Sequence, residues 1–339
     1  MALKGVTAQQ VAERAGVSQS AVSRVFTPGA SVSERMAHKV REAASDLGYR
    51  PNVLARAMAL GRSRIIGLVV AYLDNYFYPE AIEKLSSALQ AEGYHVLMFM
   101  ASKTAGNIDD VVEEILDYQI DGLIFASVAL SSSIVGRCQA AGVPVVLFNR
   151  RQDMEGVSSI TSDNFAGGQK VADFLLGCGH RRISYIAGWE GASTQRDREA
   201  GFLAGLSRKG SKLFARSVGN FRKDDTLAAA RAMFQRPAEL RPDAVFVAND
   251  HMALFVLDVL RYELNLKVPE EVAVVGYDDV PPAGWPAYDL TTVRQRSNLM
   301  VGETVSTLIK QIEDPTDFVP RQVTIDGPLV IRSTTQPGP

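Results

Sequence analysis

Ser18, Gln19, Ser20, Ser23 and Arg24 crowd short hydrogen-bonding side chains and one guanidinium into the stretch GVSQSAVSRVF, residues 16–26. A helix that only filled a core would carry larger apolar residues, yet this stretch keeps little more than Val22 and Val25 for packing. Its donors and acceptors match the edges of bases. The Gln19 amide can pair in bidentate fashion with adenine, the Arg24 fork with guanine, and the Ser20 hydroxyl with either. A second set of polar residues recurs where apolar runs stop: Asp74-Asn75, Ser127, Asn149-Arg150, Asn249-Asp250 and Asp278-Asp279. One such pair could simply cap a turn. Recurrence at run after run favours a shared polar cleft.

Chemistry of other kinds finds no footing. There is no Walker loop, no Gly-x-Ser-x-Gly, no His-Glu-x-x-His and no dinucleotide glycine fingerprint. The histidines (His38, His95, His180, His251) are scattered without ligand spacing, so no metal, cofactor or catalytic residue is expected. Two cysteines, Cys138 and Cys178, are too few for a disulfide framework or a metal site. No apolar run reaches membrane-spanning length and the start MALKGVTAQQ lacks a signal-peptide core, which places the chain in the cytoplasm.

The elements that must position the first set are short helices. Thr7 and Gln10 fit a capping box opening a helix to about Ala15, and Gly16 suits its left-handed end. Ser18 can cap a second helix and Ser33 a third, which Gly48 ends. Val11, Val17, Val22 and Val25, with Met36, Val40, Ala44 and Leu47, have the spacing of a small shared core. Two short helices on a tight turn, closed by a third, make a helix-turn-helix whose second helix can enter a major groove. Charge agrees. The net charge is −2 overall, but residues 1–64 carry +6 and the rest −8, so a basic head would meet a polyanion. After Pro51, Asn52 can cap a short helix to about Leu60, too short to be stable alone.

The second set needs a different scaffold. From Ile65 onward the apolar runs IIGLVVAYL, YHVLMFMA, DGLIFASV, PVVLFNR, RISYIAG, DAVFVAND and VAVVGYDD alternate with helical spacing. Such strands form parallel sheets covered on both faces, and so many suit two sheets. Ligands bind beyond the carboxyl ends of strands in such sheets.

The run VAERAGVSQSAVSRVF, with VSERMAHKVREAASDLGYRPNVLARAM, resembles the lac repressor/galactose repressor family of bacterial transcription regulators, over the whole chain. The resemblance implies an all-α helix-turn-helix head (residues 1–51), a hinge helix and linker (52–64), and an α/β body (65–335). That body has two doubly wound parallel-sheet lobes of periplasmic-binding-protein type. One lobe takes about 65–162 and 293–319 and the other about 163–292 and 320–335, with crossings near Asp163, Thr292 and Pro320. Thr7, Tyr49, Asn52 and Ala55 would join the first set on operator DNA, and Met58 would take the family's wedging leucine position in the minor groove. TSDNFAGG places Asp163 at the cleft hinge, and STQRDREAGF makes Arg198 the ligand arginine with Arg196 beside it. VAND, GYDD and TTVRQ offer Asn249, Asp250, Asp278 and Gln295, while Phe77 and Phe221 match aromatic walls. With Asp74, Ser127 and Arg150 these would bind a sugar or sugar acid. The expected partners are double-stranded operator DNA, a small effector and a second copy of the chain, with no membrane. A solute-binding receptor or a sugar-metabolism enzyme on a similar scaffold is the alternative. The first would need an export signal and no basic head, the second a catalytic constellation.

Overall fold

A computed structural model describes residues 6–27, 30–50, 62–71, 73–101, 108–128, 130–152 and 156–336. The expectations for Asn52, Ala55 and Met58 fall outside the described residues. The chain divides into two units, residues 1–64 and 65–339.

In the first unit, Thr7 opens α1 (Ala8–Ala15) with both halves of a capping box: Gln10 N donates to Thr7 Oγ1 at 3.3 Å and Thr7 N to Gln10 Oε1 at 2.9 Å. Gly16 ends it at φ +66°, a left-handed conformation that costs a Cβ-bearing residue about 1–2 kcal/mol. Ser18 caps α2 (Gln19–Val25) by accepting from Ala21 N, and Ser33 caps α3 (Glu34–Leu47) by accepting from Met36 N. Val11, Val22 and Val40 are fully buried where the three helices meet, with Ala12, Ala43 and Ala44 around them. Met36 departs from the expectation. It lies in the first turn of α3, exposed, and Ala43 takes the buried place instead.

The second unit holds two six-stranded sheets. The first lobe is built from β1 (Ile65–Val70), α4 (Phe77–Ala91), β2 (His95–Met100), α5 (Ile108–Asp117), β3 (Gly122–Ala126), α6 (Ser132–Ala140), β4 (Val145–Phe148) and β5 (Ser158–Ser162). The second takes α7 (Asn164–Gly177), β6 (Ile183–Ala187), α8 (Ser193–Arg208), β7 (Ala215–Val218), α9 (Lys223–Phe234), β8 (Ala244–Val247), α10 (Asp250–Asp258), β9 (Ala273–Asp278) and β10 (Thr291–Arg294). The chain then returns with α11 (Ser297–Glu313) and β11 (Gln322–Ile325), and ends in β12 (Leu329–Val330). Sheet orders are β2-β1-β3-β4-β5-β11 and β7-β6-β8-β9-β10-β12. Both reverse direction between their first and third strands, β1/β3 and β6/β8, which is where doubly wound sheets open a crevice for ligand.

Two crossings lie elsewhere than expected. Thr292 is inside β10, paired with Gly276 of β9, so the second crossing comes after Arg294. β11 pairs with β5 in the first sheet, so the third crossing is residues 326–328 and not Pro320. Because the chain turns back there at once, β12 runs antiparallel to β10 on an otherwise parallel sheet. β2 also departs from the fully covered pattern. It is an edge strand, with Met98 and Met100 exposed.

Candidate functional site: a helix face and a cleft between lobes

On α2 the buried residues are Ala21 and Val22, and everything polar faces out. Ser18, Gln19, Ser20, Ser23 and Arg24 are exposed. Ser18 Oγ and Ser20 Oγ share a hydrogen bond of 2.9 Å. The side chains of Gln19, Ser23 and Arg24 make no hydrogen bond or ion pair among the described residues. An unengaged amide and guanidinium on the first two turns of a second short helix can be given to base edges without breaking anything. Thr7 spends its hydroxyl on the α1 cap, and Tyr49 is half-buried with its ring 5.9 Å from that of Phe26.

In the second unit the cleft gathers residues from the ends of both sheets: Asn75 after β1, Asn149 and Arg150 after β4, Asn249 after β8 and Asp278 ending β9. Thr194 and Arg198 of α8, Tyr78 of α4 and Phe221 complete the wall. Arg198 is the centre. Its Nε donates to Asn164 Oδ1 at 2.8 Å, Nη1 to the Ala248 carbonyl at 2.6 Å, and Nη2 pairs with Asp278 Oδ1 at 3.3 Å. The guanidinium also lies 3.7 Å from the centroid of the Tyr277 ring. Burial pushes the Asp278 carboxyl up, and Arg198 pulls it back. The Gln295 amide donates to Asp278 Oδ1 at 2.7 Å, fixing it further.

Arg150 reaches across the cleft. From the first lobe it donates to Thr194 Oγ1 of the second at 2.6 Å, while Ser127 Oγ accepts from its other arm at 2.9 Å. Arg151 N crosses likewise to Ser193 Oγ at 2.9 Å. The cavity left is about 10 Å³, room for one water at most. Backbone strain concentrates here. Ser127, Asn149, Phe221 and Asp278 all hold positive φ, a cost of about 1–3 kcal/mol each that persists where surrounding structure over-determines it. Amides, a carboxylate, two guanidiniums and an aromatic wall suit a polyhydroxylated ligand with an apolar face.

Of the twelve expected residues, Arg150, Arg198, Phe221, Asn249 and Asp278 line this cleft, and Ser127 stands behind Arg150. The others are placed differently. Asp74 is exposed and its neighbour Asn75 lines the cleft, its Oδ1 accepting from Phe77 N at 3.1 Å. Arg196 is exposed and folds back on the Glu190 and Gly191 carbonyls, because two residues along a helix turn a side chain by about 200°. Asp163 spends its carboxylate on Ala166 N, capping α7. Asp250 is fully buried on the far side, accepting from Thr292 Oγ1 at 2.6 Å and Val280 N at 3.0 Å. Burial, then the nearby Asp278 charge, hold its carboxyl up at about 7. Phe77 is stacked on Phe148, and with Gln295 it lines an adjoining cavity that shares Asp278 with the cleft. Sequence reasoning missed Tyr78 and Thr194. Thr194 carried a signal, standing four residues before Arg198 and hence on the same helix face.

Comparison with known proteins places these features. Residues 7–52 match the family of bacterial regulatory proteins, lacI family, and residues 172–335 match a periplasmic binding protein-like domain. The chain is 31% identical over 316 residues to the ribose operon repressor of Escherichia coli (strain K12), covering 91% of this chain and 94% of that protein. It is 32% identical over 338 residues to the HTH-type transcriptional regulator CelR of Thermobifida fusca, covering 97% and 98%. Among solved structures, the lac repressor dimer bound to operator and the anti-inducer ONPF superposes with a TM-score of 0.86 at 27% identity, over 98% of this chain and 100% of that one. A CelR–cellobiose complex superposes with a TM-score of 0.73 at 29% identity, over 97% and 99%.

Proposed function

The chain belongs to the lacI family of bacterial regulatory proteins and is a DNA-binding transcription regulator, and from that premise we propose how it works. It represses by binding a pseudo-palindromic operator as a homodimer in the cytoplasm, with Ser18, Gln19, Ser20, Ser23 and Arg24 on the bases. A sugar or sugar acid closes between the lobes and sets the operator affinity. The role includes no catalytic step. No helix among the described residues is long and apolar enough to cross a membrane. A solute-binding receptor would have no use for the helix-turn-helix.

The observation that carries the effector reading is Arg198, 3% exposed, held from four sides where the two sheets' strand ends converge. A bidentate fork fixed by Asn164, Ala248 and Asp278 is pre-organised to present its outer edge to a ligand. Ligand must displace the Arg150–Thr194 bridge to enter, so bound and free forms differ in how the lobes meet. That difference lets ligand bias DNA binding, since equal affinity for both forms would shift nothing.

The test begins with a thermal-shift screen of sugars and sugar acids, followed by operator binding by fluorescence anisotropy with the best hit. Arg198→Lys keeps the charge and loses the fork. It should abolish the ligand response while leaving ligand-free operator affinity intact. A full response in the variant would put the effector elsewhere, and lost ligand-free binding would make Arg198 structural.

A further inference from the structure

Strands β7, β6, β8 and β9 lie side by side and parallel, so the loops leading into them meet at one end of the sheet, the end away from the cleft. Bonds between loops hold that end together. Asp243 accepts from Arg181 N at 3.2 Å and Arg182 N at 3.1 Å, and Arg182 Nε donates to the Arg241 carbonyl at 2.7 Å. Phe214 N donates to the Ile183 carbonyl at 2.8 Å. Residues 177–182, 207–214 and 235–243, the stretches before β6, β7 and β8, carry seven Lys and Arg against two acids, Glu239 and Asp243. The loop into β9 adds Lys267, Glu270 and Glu271. This positive excess stands on a body whose net charge is −8.

The cations of this end are also unanswered. Elsewhere the body sets an acid against its arginines: Glu113 against Arg137, Glu199 against Arg216, Glu263 against Arg231 and Glu303 against Arg321. Here Arg208 has Asp173, but Arg181, Arg182, Lys209, Lys212, Arg236 and Arg241 make no ion pair among the described residues. Arg181, Lys209, Lys212 and Arg236 are exposed. The large apolar side chains exposed on the same loops are Phe214 and Leu240, so the face offers charge more than apolar area. Like charges gathered without acids repel one another, and a bound polyanion would relieve that.

We propose that this end of the second lobe is a second contact for double-stranded DNA, made to its phosphates. Three neighbouring strands span about 10 Å, a length over which a duplex presents about six charges. The six unpaired cations stand on loops, with no α-helix or β-ribbon among them to enter a groove, so the face holds DNA without reading its sequence. The helix-turn-helix and this face belong to different units of the chain, so one molecule joins two stretches of duplex without a further subunit.

The test is a capture assay with the full chain and duplexes of random sequence. Protein is bound to an immobilised duplex in low salt, the excess is washed away, and a second, fluorescent duplex is added. The parent should retain the second duplex, less so as salt rises. Arg181→Glu, Lys212→Glu and Arg236→Glu together, all at exposed positions, should retain at least about tenfold less and keep their binding to the first duplex. Lys212→Ala alone should reduce the logarithmic salt slope of the second step by about 0.9, the share of one phosphate contact. The proposal is overturned if the parent retains no second duplex, or if the triple variant retains as much as the parent or loses the first duplex too. An unchanged salt slope in Lys212→Ala overturns it as well. So does retention of labelled polyglutamate in place of the second duplex, which would assign the face to an acidic protein.

Discussion

Helices α7 and α8 touch backbone to backbone, and the contact can be tested with one methyl group. A Cβ at Gly201 would stand 2.7 Å from the Phe165 carbonyl carbon, and one at Gly168 would stand 2.7 Å from the Phe202 nitrogen. Carbon atoms settle at about 3.5 Å, and backbone has no rotamer to turn away. Gly201→Ala must therefore part the helices by at least roughly 0.8 Å, since the Phe165 carbonyl oxygen stands closer still to the added carbon. The Asn164–Arg198 bond of 2.8 Å spans the same two helices next to Phe165. The shift would stretch it to roughly 3.6 Å, beyond hydrogen-bonding range. Overpacking costs about 1–3 kcal/mol and a hydrogen bond to a charged group about 1.5–3 kcal/mol, so the variant should lose about 2.5–6 kcal/mol in urea unfolding. Its ligand response should weaken along with the Arg198 anchor. Gly302→Ala on α11, with nothing within 4 Å of the added carbon, is the control. It should gain about 0.5–1 kcal/mol from helix propensity. If Gly201→Ala unfolds within about 0.5 kcal/mol of the parent, the close approach and the linkage to Arg198 are both wrong.

Asp250, held up at about 7, gives up its proton earlier in the unfolded chain than in the folded one. Its contribution is full below the ordinary carboxylate value and is lost as pH climbs to about 7, by up to about 1.4 kcal/mol per pH unit. Asp250→Asn, which can still accept from Val280 N while donating to Thr292, should flatten that slope in urea melts between about pH 5 and pH 7. An unchanged slope would mean that Asp250 is ionised throughout. Thr7→Ala should lower the stability of the helix-turn-helix by about 1 kcal/mol, read by thermal unfolding, and no loss would dismiss the capping box. Arg24→Ala should cost about 1–3 kcal/mol on the operator and far less on random DNA. Equal losses would reduce Arg24 to a phosphate contact.

The head was legible almost residue by residue because caps are local: a hydroxyl three residues before its amide partner is visible in one dimension. The seven apolar strands were legible for the same reason. What escaped were strands whose burial is tertiary. β5 reads SSITS, four hydroxyls and one isoleucine, yet every residue of it is buried. β10 (TTVR) and β11 (QVTI) are as short, and only their pairing reveals that the second and third crossings fall later than the resemblance implied. In the cleft, strand ends were found but not the side chains that turn inward. Asp74 and Asn75 are neighbours in sequence, and only the backbone after β1 decides which is buried. Asn249 and Asp250 were read as a pair, although one caps α10 beside the cleft while the other is drawn to Thr292 behind it.

Residues 297–325 complete the first sheet, α11 lying over β4 and β5 and β11 closing the edge at β5, although all of the second lobe except the stretch from β12 onward precedes them in the chain. Read in the order a ribosome delivers it, the first lobe must wait. While residues 163–296 are being made, β5 is an open edge and the sheet beneath the future α11 is bare, the state most given to mispairing. The three head helices, by contrast, have all their core residues once residue 48 has emerged. Nascent chains should therefore carry a folded DNA reader ahead of an unfinished sensor, and a stop codon before α11 would remove the lid of the first lobe.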